Sequence, residues 1–392
     1  MIHTTMWTYP WDVIDEGVDR VIGFLKEEIG LDAISLSTVY HTYDQLRTHM
    51  PGKKLFSGYE DAIYFQPQSE LYQGTKIKPH VHPMARDQDP VRIIAEACRA
   101  RGLELISWTV PLHNHYMARE HPDCALLGVF GDRYPGCLCP ANPEVREYVR
   151  GLSLDLATNC DVQMIEYESL HYMGFGMFRN HAKVGVELGA VGSLLMSLCF
   201  CDGCAQRAAD RGMDVGELKG QVEKWLLDIF EEGPPDRSVE EFVADESLVN
   251  EYVKMRADTV TSLAAEVKGA VKMPVSFLYM GNYHNNGIDR KPIEQIVDWV
   301  NVLCYSSSPD EASQRAQETL ADMDDPSMLI CGLNGHKPID SAEQMREIIA
   351  AVYETGAHRF SYYNYGMISR RNLRWIAEAI AAVRALDAGA EE

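Results

Sequence analysis

The chain has 392 residues, of which 46% are hydrophobic and 24% charged, a composition typical of a globular protein. Its 36 basic and 58 acidic side chains give a formal net charge of −22, so we expect no nucleic-acid or membrane partner, because both need a basic surface. No stretch approaches the ~18 consecutive apolar residues of a membrane span, and the first residues do not resemble a signal peptide. The sequence therefore predicts a cytoplasmic protein that acts on a small molecule.

Short β-rich segments alternate with amphipathic helices along the chain, which is typical of βα units around a parallel sheet. The predicted strands are Thr4–Thr8, Ala33–Val39, Leu103–Val110, Val162–Glu168, Val275–Met280, Val300–Tyr305, Met328–Gly332 and His358–Tyr363. The predicted helices are Val13–Ile29, Pro90–Arg101, Pro143–Ala157, Leu248–Ala270, Ile293–Val297, Glu311–Met323, Ala342–Glu354 and Arg371–Leu386.

Eight alternating units predict a single α/β domain over residues 1–392, a (β/α)8 TIM barrel with an insertion at about 169–250 after the fourth strand. A doubly wound open sheet is the alternative. No glycine-rich phosphate-binding motif follows any predicted strand, which disfavours a nucleotide-binding sheet. We therefore expect no organic cofactor.

Aromatic and polar residues recur at the carboxyl ends of the predicted strands, where TIM-barrel enzymes carry their active sites. Sugar rings pack on aromatic faces, and their hydroxyls need hydrogen-bond partners, so this pattern predicts a carbohydrate site. Aromatic residues that only fill the loops above the core are the alternative. The predicted stacking residues are Trp7, Trp11 and Tyr305. The predicted hydroxyl-binding residues are His41, His113, His115, His171, Asn334 and His336.

Three cysteines, Cys199, Cys201 and Cys204, form a CxCxxC motif in the predicted insertion. Three thiolates this close together suit one tetrahedral metal ion, and zinc is the commonest such ion. The fourth ligand is Cys139 or, as second choice, Cys137. A disulfide with a spare thiol, or unpaired core cysteines, are the alternatives. Four thiolates would close the coordination shell, so the predicted role of the metal is structural.

Glu166 and Glu168 lie two residues apart on the fourth predicted strand, so both side chains point to the same face, into the barrel or its mouth. Two carboxylates in that place are costly unless they are paired or used. Their proximity should raise the pKa of at least one of them, as a general acid requires. A salt bridge to a basic residue inside the barrel is the alternative.

Three segments in this order resemble glycoside hydrolase family 42, the bacterial β-galactosidases with a structural zinc site, and a related group of hypothetical glycosyl hydrolases. The segments are Cys139-Pro140-Ala141-Asn142-Pro143 with Tyr148, then Gln163-Met164-Ile165-Glu166-Tyr167-Glu168, then Cys199-Phe200-Cys201-Asp202-Gly203-Cys204. The resemblance covers mainly residues 135–205. It implies that Glu168 is the acid/base, with Tyr167 where the family has Asn. It also implies zinc ligands Cys139, Cys199, Cys201 and Cys204.

The sequence departs from that family at the nucleophile, which the family carries as a Glu on the seventh strand. The corresponding segment, Met328–His336, contains no carboxylate. Two residues are candidates for the second carboxylate. Glu166 would stabilise positive charge or act as nucleophile or base, and Asp310 after the sixth strand is the other candidate. A substrate-assisted route would need only the acid/base.

Two other classes of function remain open at this stage. His113 and His115 after the third strand, with Glu166 and Glu168, predict a catalytic metal site as the alternative, which would make the protein a sugar isomerase, epimerase or lyase. A non-catalytic carbohydrate-binding barrel is the second alternative. By analogy with other TIM barrels, a homo-oligomer is a further expectation.

Overall fold

The structure, a computed structural model, describes residues 1–177 and 183–390. Eight parallel strands form a closed barrel, since β1 pairs with both β2 and β8 and every other strand pairs with its neighbours in chain order. The predicted (β/α)8 fold is therefore confirmed. The strands are β1 (His3–Thr8), β2 (Ala33–Tyr40), β3 (Glu104–Thr109), β4 (Met164–Tyr167), β5 (Val275–Leu278), β6 (Trp299–Leu303), β7 (Leu329–Asn334) and β8 (Arg359–Tyr363).

The helices of the barrel lie between these strands, close to their predicted bounds. They are Pro90–Ala100, Pro143–Asn159, Ser247–Ala270, Arg290–Glu294, Pro309–Asp322, Ala342–Glu354 and Arg370–Ala390. Several begin with a proline at the first turn after a capping side chain, and the Asn142 side chain accepts hydrogen bonds from the backbone of Glu144 and Val145. Such caps satisfy amide groups that have no partner inside the helix.

The prediction of one continuous helix over Val13–Ile29 is wrong. The segment forms helices Pro10–Glu16 and Val18–Gly23, followed by the π-helical turn Phe24–Ile29. Gly17 separates the first two with a φ of 99°, a conformation outside the right-handed helix that glycine adopts without strain. The apolar residues of the segment recur at helical spacing, which is why one helix was predicted, but Gly17 ends the first helix.

The loops also contain elements that the sequence did not predict. Tyr43–Leu46 pairs with Leu55–Gly58 as an antiparallel hairpin after β2, which we call the β2 hairpin, and Ala125–Leu127 pairs with Arg133–Leu138 after β3. Ala62–Ile63 pairs with the end of β2. Short α-helices are His115–Glu120 and Tyr283–Asn286, and short 3₁₀ helices are Ser69–Tyr72, Pro83–Ala85, Pro122–Cys124 and Pro326–Met328.

In its described part, the segment between β4 and the helix Ser247–Ala270 contains four additional helices, which correspond to the predicted insertion. They are Gly189–Met196, Asp202–Ala209, Val215–Glu232 and Val239–Asp245. None of the described helices, here or elsewhere, is long and apolar enough to cross a membrane.

A buried polar network fixes the β2 hairpin to the first helix. Arg47 donates hydrogen bonds to Asp12 Oδ1 at 2.7 Å and to Asp15 Oδ2 at 2.8 Å. Gln45 donates to Asp12 Oδ2 at 2.9 Å and accepts a hydrogen bond from Trp11 Nε1 at 2.8 Å. Because Asp12 and Arg47 are buried, removal of either partner would leave an uncompensated charge. The network therefore holds the hairpin above the barrel.

We expect Gly366→Ala to destabilise the protein by about 2 to 3 kcal/mol, because overpacking a filled site has this cost. A Cβ at Gly366 would overlap the Asp12 carboxylate and clash with the Gln45 amide. Urea denaturation followed by circular dichroism measures the free energy of unfolding. Gly220→Ala is the control, since a Cβ there meets no atom within 4 Å. An equal loss in both variants would contradict the prediction.

Candidate active site and metal centre

Glu166 lies at the centre of the barrel on β4 and is 2% exposed. Its Oε2 accepts hydrogen bonds from Trp7 Nε1 at 2.6 Å and Ser35 Oγ at 2.8 Å, and its Oε1 accepts one from Asn301 Nδ2 at 2.8 Å. Burial raises the pKa of Glu166, and these three hydrogen bonds oppose the rise. Gly332 of β7 leaves room for this arrangement, since a Cβ there would contact Trp7 and Asn301.

Glu168 follows β4 directly and has a different environment. Its Oε2 accepts a hydrogen bond from Trp108 Nε1 at 2.7 Å, and no described residue donates to its Oε1. Burial raises the pKa of Glu168 to about 7, with the charge of Glu166 adding to the rise and the Trp108 hydrogen bond opposing it. Neither carboxylate forms an ion pair with a described basic residue. Glu168 is therefore partly protonated near neutral pH, and its Oε1 has no donor among the described residues.

Three tyrosine hydroxyls form a connected group beside Glu168. Tyr9 Oη lies 3.0 Å from Tyr40 Oη and 3.1 Å from Tyr363 Oη. Burial raises the pKa of Tyr40 and of Tyr363, and in both cases the charge of Glu168 adds to the rise. These hydroxyls are therefore protonated at neutral pH. They can donate hydrogen bonds to a ligand next to Glu168.

A cavity of about 1060 Å³ opens at the carboxyl ends of β1, β2, β7 and β8. Its wall includes all three of these tyrosines together with His41 and His336, and the β2 hairpin forms one side. The volume is at the upper end of the range for small-molecule sites. Glu168 itself does not line the cavity, but Tyr40 and Tyr363 line it and also pack on Trp108, the donor to Glu168.

The predicted stacking residues take different positions. Trp7 is 1% exposed and donates to Glu166, and Trp11 is fully buried, with its ring 5.1 Å from that of Phe56. Neither tryptophan lines the cavity, which corrects the prediction that both stack on a sugar. Both rings instead pack against other residues inside the protein. Tyr305 is half-buried, with its ring 6.1 Å from that of Tyr363, and thus remains close to the site.

Three of the predicted hydroxyl-binding histidines share one arrangement. His41, His171 and His336 follow β2, β4 and β7, and each Nδ1 lies 2.7–2.9 Å from the carbonyl oxygen of the next residue. A carbonyl oxygen only accepts, so Nδ1 carries the hydrogen in each ring. Asn334, at the end of β7, is buried and donates to the carbonyl oxygen of His336 at 3.4 Å.

His113 and His115 do not assemble a metal site with Glu166 and Glu168. His113 stacks on His41 at 4.4 Å, and burial lowers the pKa of His113 to about 3. His115 Nδ1 lies 3.5 Å from Asp61 Oδ1, and its Nε2 has no partner. In the parts of the chain that the structure describes, no group of three His, Asp or Glu ligands lies within 4.8 Å around these histidines. The geometry therefore does not support the isomerase or lyase alternative.

Several residues that shape the site were missed by the sequence analysis. Trp108, Ser35 and Asn301 hydrogen-bond the two glutamates from β3, β2 and β6, and Tyr43 lines the cavity from the β2 hairpin. The sequence signal that could have identified them is a polar residue in an otherwise apolar strand, because such a residue needs a hydrogen-bond partner when it is buried. Asp310 is exposed in the first turn of a helix, with no contact to either glutamate.

Cys139, Cys199, Cys201 and Cys204 converge into one buried group, in which the Sγ atoms lie within 4.8 Å of one another. The distances from Cys139 Sγ are 3.4 Å to Cys201, 3.5 Å to Cys204 and 3.8 Å to Cys199. A tetrahedral zinc with Zn–S bonds of about 2.3 Å places its sulfurs about 3.8 Å apart, so the group fits such an ion. All ten cysteines are free thiols, and Cys137 lies outside the group.

The surroundings of the group also suit charged thiolates. The amide of Leu127 lies 3.4 Å from Cys199 Sγ, and the Tyr172 hydroxyl lies 3.3 Å from Cys204 Sγ. Such donors orient metal ligands and tune them. Because Tyr172 belongs to the loop after β4, this contact connects the cysteine group to the chain that carries Glu168.

The fold is similar to that of known sugar-cleaving enzymes. No protein-family model matches the sequence, and neither does any curated protein. The chain aligns over 99% of its length with alpha-L-fucosidase isoenzyme 2 from Paenibacillus thiaminolyticus, at 12% identity and a TM-score of 0.60. It aligns over 100% of its length with a beta-galactosidase from the psychrophilic Marinomonas ef1, at 11% identity and a TM-score of 0.59.

The chain spans 50% of the length of the fucosidase and 60% of that of the galactosidase. At this level of identity the similarity shows a shared barrel architecture. It does not extend to the activities of the two enzymes.

We expect Cys139→Ser to lose bound metal, while Cys137→Ser retains it, because only Cys139 reaches the other three thiols. Both cysteines are buried, so the two substitutions perturb packing in a similar way. Plasma mass spectrometry of protein purified in reductant gives the metal content per chain. One metal ion per chain in wild type and Cys137→Ser, and none in Cys139→Ser, is the predicted result. Equal metal content in both variants would show that Cys139 is not a ligand.

Proposed function

We propose that this protein is a glycoside hydrolase that cleaves a glycosidic bond of a small saccharide or glycoside, with Glu168 as the acid/base. The observation that carries this proposal is the environment of Glu168. Its pKa is raised to about 7, one of its oxygens has no partner among the described residues, and its donor Trp108 packs against Tyr40 and Tyr363 of the cavity wall. A general acid needs a proton at the working pH and access to the leaving-group oxygen.

Glu166 has a supporting role in this proposal. Both of its oxygens accept hydrogen bonds, from three donors in all, and the residue is 2% exposed, so it is held inside the barrel. Its charge helps Glu168 to keep a proton. The carboxylates that line the cavity are Asp44 on the β2 hairpin and Asp340 after β7, and we propose them as candidates for activating water.

The cavity wall supports the choice of a sugar as the ligand. Tyr9, Tyr40 and Tyr363 provide hydroxyls beside Glu168, and His41 and His336 provide ring nitrogens. These groups suit a polyhydroxylated ring. The two structures of similar fold are a fucosidase and a galactosidase by name, which agrees with this class of substrate. The resemblance to family 42 in the cysteine and β4 motifs supports the same reaction.

The cysteine group supports a structural zinc site in this proposal. Four thiolates would occupy all positions of a tetrahedral ion, which leaves none for substrate. The zinc would hold the insertion against the chain that follows β3 and β4. The cytoplasmic location and the homo-oligomer remain predictions from the sequence.

A non-catalytic carbohydrate-binding barrel is the second candidate. One observation favours it: β7 ends at Asn334 and presents no carboxylate where the resembling family has its nucleophile. The two candidate functions differ in turnover. A binding protein should hydrolyse no glycoside, and it should retain its affinity for the sugar when Glu168 is substituted.

We expect Glu168→Gln to lower kcat/KM by about 10² to 10⁴, the usual contribution of a general acid. The assay uses 4-nitrophenyl glycosides, including the α-L-fucoside and the β-D-galactoside, and the matching disaccharides. The decrease in kcat/KM should be larger for disaccharides, because a sugar alcohol leaves only when it is protonated, whereas nitrophenolate is a good leaving group without a proton. Glu343→Gln, exposed at the start of a helix, is the control. Wild-type turnover of disaccharides by Glu168→Gln would refute the assignment.

The pH dependence of kcat/KM provides a second test, in which two substitutions should shift the profile in opposite directions. Glu168 must be protonated to donate, so kcat/KM should fall as pH rises through about 7. Trp108→Phe removes the hydrogen bond that stabilises the carboxylate, so the pKa should rise and the fall should move to higher pH. Glu166→Gln removes the neighbouring negative charge, so the fall should move to lower pH. Shifts in the same direction in both variants would contradict this account.

A further inference from the structure

Three arginines are buried in the described part of the chain, and two of them have a carboxylate partner. Arg47 pairs with Asp12 at 2.7 Å. Arg146 pairs with Glu266 at 2.6 Å. Arg256 is fully buried and forms no ion pair with a described carboxylate. A guanidinium keeps its charge in a protein, and a buried charge is costly without an opposite charge nearby. Arg256 therefore needs a compensating charge in its surroundings.

The hydrogen bonds of Arg256 do not supply that charge. Arg256 lies on the helix Ser247–Ala270, and its Nη1 donates to the carbonyl oxygen of His284 at 3.0 Å. Its Nη2 donates to the carbonyl oxygens of Asn285 at 2.7 Å and Ser197 at 3.1 Å, while its Nε has no partner. Carbonyl oxygens satisfy N–H groups, but they carry no net charge.

The acidic residues on either side of Arg256 in the same helix do not supply it either. Glu251 pairs with Lys254 at 2.7 Å, and both side chains are exposed. Asp258 pairs with Arg211 at 2.7 Å and is also exposed. These carboxylates face solvent and already have cationic partners, so the compensating charge has another source.

Two buried tyrosines connect Arg256 to the cysteine group. The Arg256 guanidinium lies 4.5 Å from the centre of the Tyr172 ring, and the Tyr172 hydroxyl lies 3.3 Å from Cys204 Sγ. The Tyr252 hydroxyl donates to the carbonyl oxygen of Cys199. Burial raises the pKa of both tyrosines, the cysteine charges add to the rise, and Arg256 opposes it. Both tyrosines are therefore close to Arg256 and to the thiols.

The cysteine group has the charge that Arg256 needs when it holds a metal ion. Four thiolates outnumber the two positive charges of a divalent ion, so the loaded centre has a net charge of −2. All four cysteines are buried, so this negative charge is also costly without an opposite charge. Solvent screens two buried charges much less than it screens charges at the surface. The two buried charges are thus of opposite sign and on either side of the same tyrosines.

We propose that Arg256 is the counter-ion of the metal–thiolate centre. Through its bonds to Ser197 and Asn285 it is also a positioning residue, which holds the insertion and the loop after β5 against the loop after β4. The inference rests on the proposed metal site, and it does not depend on the proposed hydrolase activity. It predicts that the charge of Arg256, rather than its hydrogen bonds, supports metal binding.

The first test is the zinc affinity of the full chain, measured in reductant by competition with a chromophoric chelator. Arg256→Gln keeps amide hydrogens for the carbonyl groups but removes the charge. The Kd for Zn²⁺ should therefore rise about 10- to 100-fold, the usual effect of losing a partner of the metal ligands. Arg256→Lys keeps the charge and should retain most of the wild-type affinity. Wild-type affinity in Arg256→Gln, or an equal loss in both variants, would overturn the inference.

Arg146→Gln is the matched control, since the carboxylate partner of this buried arginine belongs to Glu266 and not to the metal centre. It should lower the Tm of the metal-free and of the zinc-loaded protein alike and leave the Kd for Zn²⁺ unchanged. In Arg256→Gln, the rise in Tm on zinc loading should be smaller than in wild type, because weaker binding stabilises the folded state less. An equal rise in wild type and Arg256→Gln would overturn the inference.

Cobalt separates the loss of charge from a change of ligand geometry. The absorption bands of Co²⁺ depend on its ligands and their geometry, so saturating Co²⁺ should give the same bands in Arg256→Gln and wild type. Altered bands would show that Arg256 shapes the site and would overturn its role as counter-ion. A wild-type chain that binds no Zn²⁺ would overturn the metal centre and this inference together. Zinc binding without turnover of any glycoside would contradict the hydrolase and leave this inference intact.

Discussion

The burial of two carboxylates on one strand is the constraint on which the rest of the site depends. Glu166 and Glu168 lie in a barrel interior where an unpaired charge would be costly, and neither has a basic partner among the described residues. Trp7, Ser35 and Asn301 satisfy Glu166, while Trp108 alone donates to Glu168. This unequal distribution of donors separates a carboxylate with both oxygens hydrogen-bonded from one with a single donor, and two different environments give the two groups different pKa shifts.

Aromatic rings pack closely around the two glutamates. Trp7 and Trp108 pack with ring centroids 6.2 Å apart, and the Tyr9 ring stacks on Trp11 at 4.4 Å and on Trp108 at 5.5 Å. The same burial raises the pKa of Glu168, so the packing of these rings and the pKa shift have one cause. The β2 hairpin completes the wall, and the buried Asp12–Arg47 pair holds it in place.

The cysteine group connects parts of the chain that are far apart in sequence. Cys139 precedes the helix after β3, and the other three cysteines belong to the insertion after β4. Tyr172 extends this connection to the loop that begins at Glu168, and the Arg256 guanidinium lies 4.5 Å above the Tyr172 ring. A metal at this position would therefore support the loop that begins at Glu168.

The sequence by itself determined the barrel, the CxCxxC motif and the paired glutamates, because each is a local pattern of spacing along the chain. It favoured Cys139 over Cys137 as the fourth cysteine, and the structure brings Cys139 within 4.8 Å of the other three thiols and leaves Cys137 outside the group. It also placed Trp7 and Trp11 against a sugar, whereas folding buries both rings, and it did not predict the β2 hairpin. Tertiary structure alone decided which glutamate keeps a free oxygen, because the donors come from β1, β2, β3 and β6. Burial and hydrogen-bond partners depend on residues more than a hundred positions apart, and no local pattern contains that information.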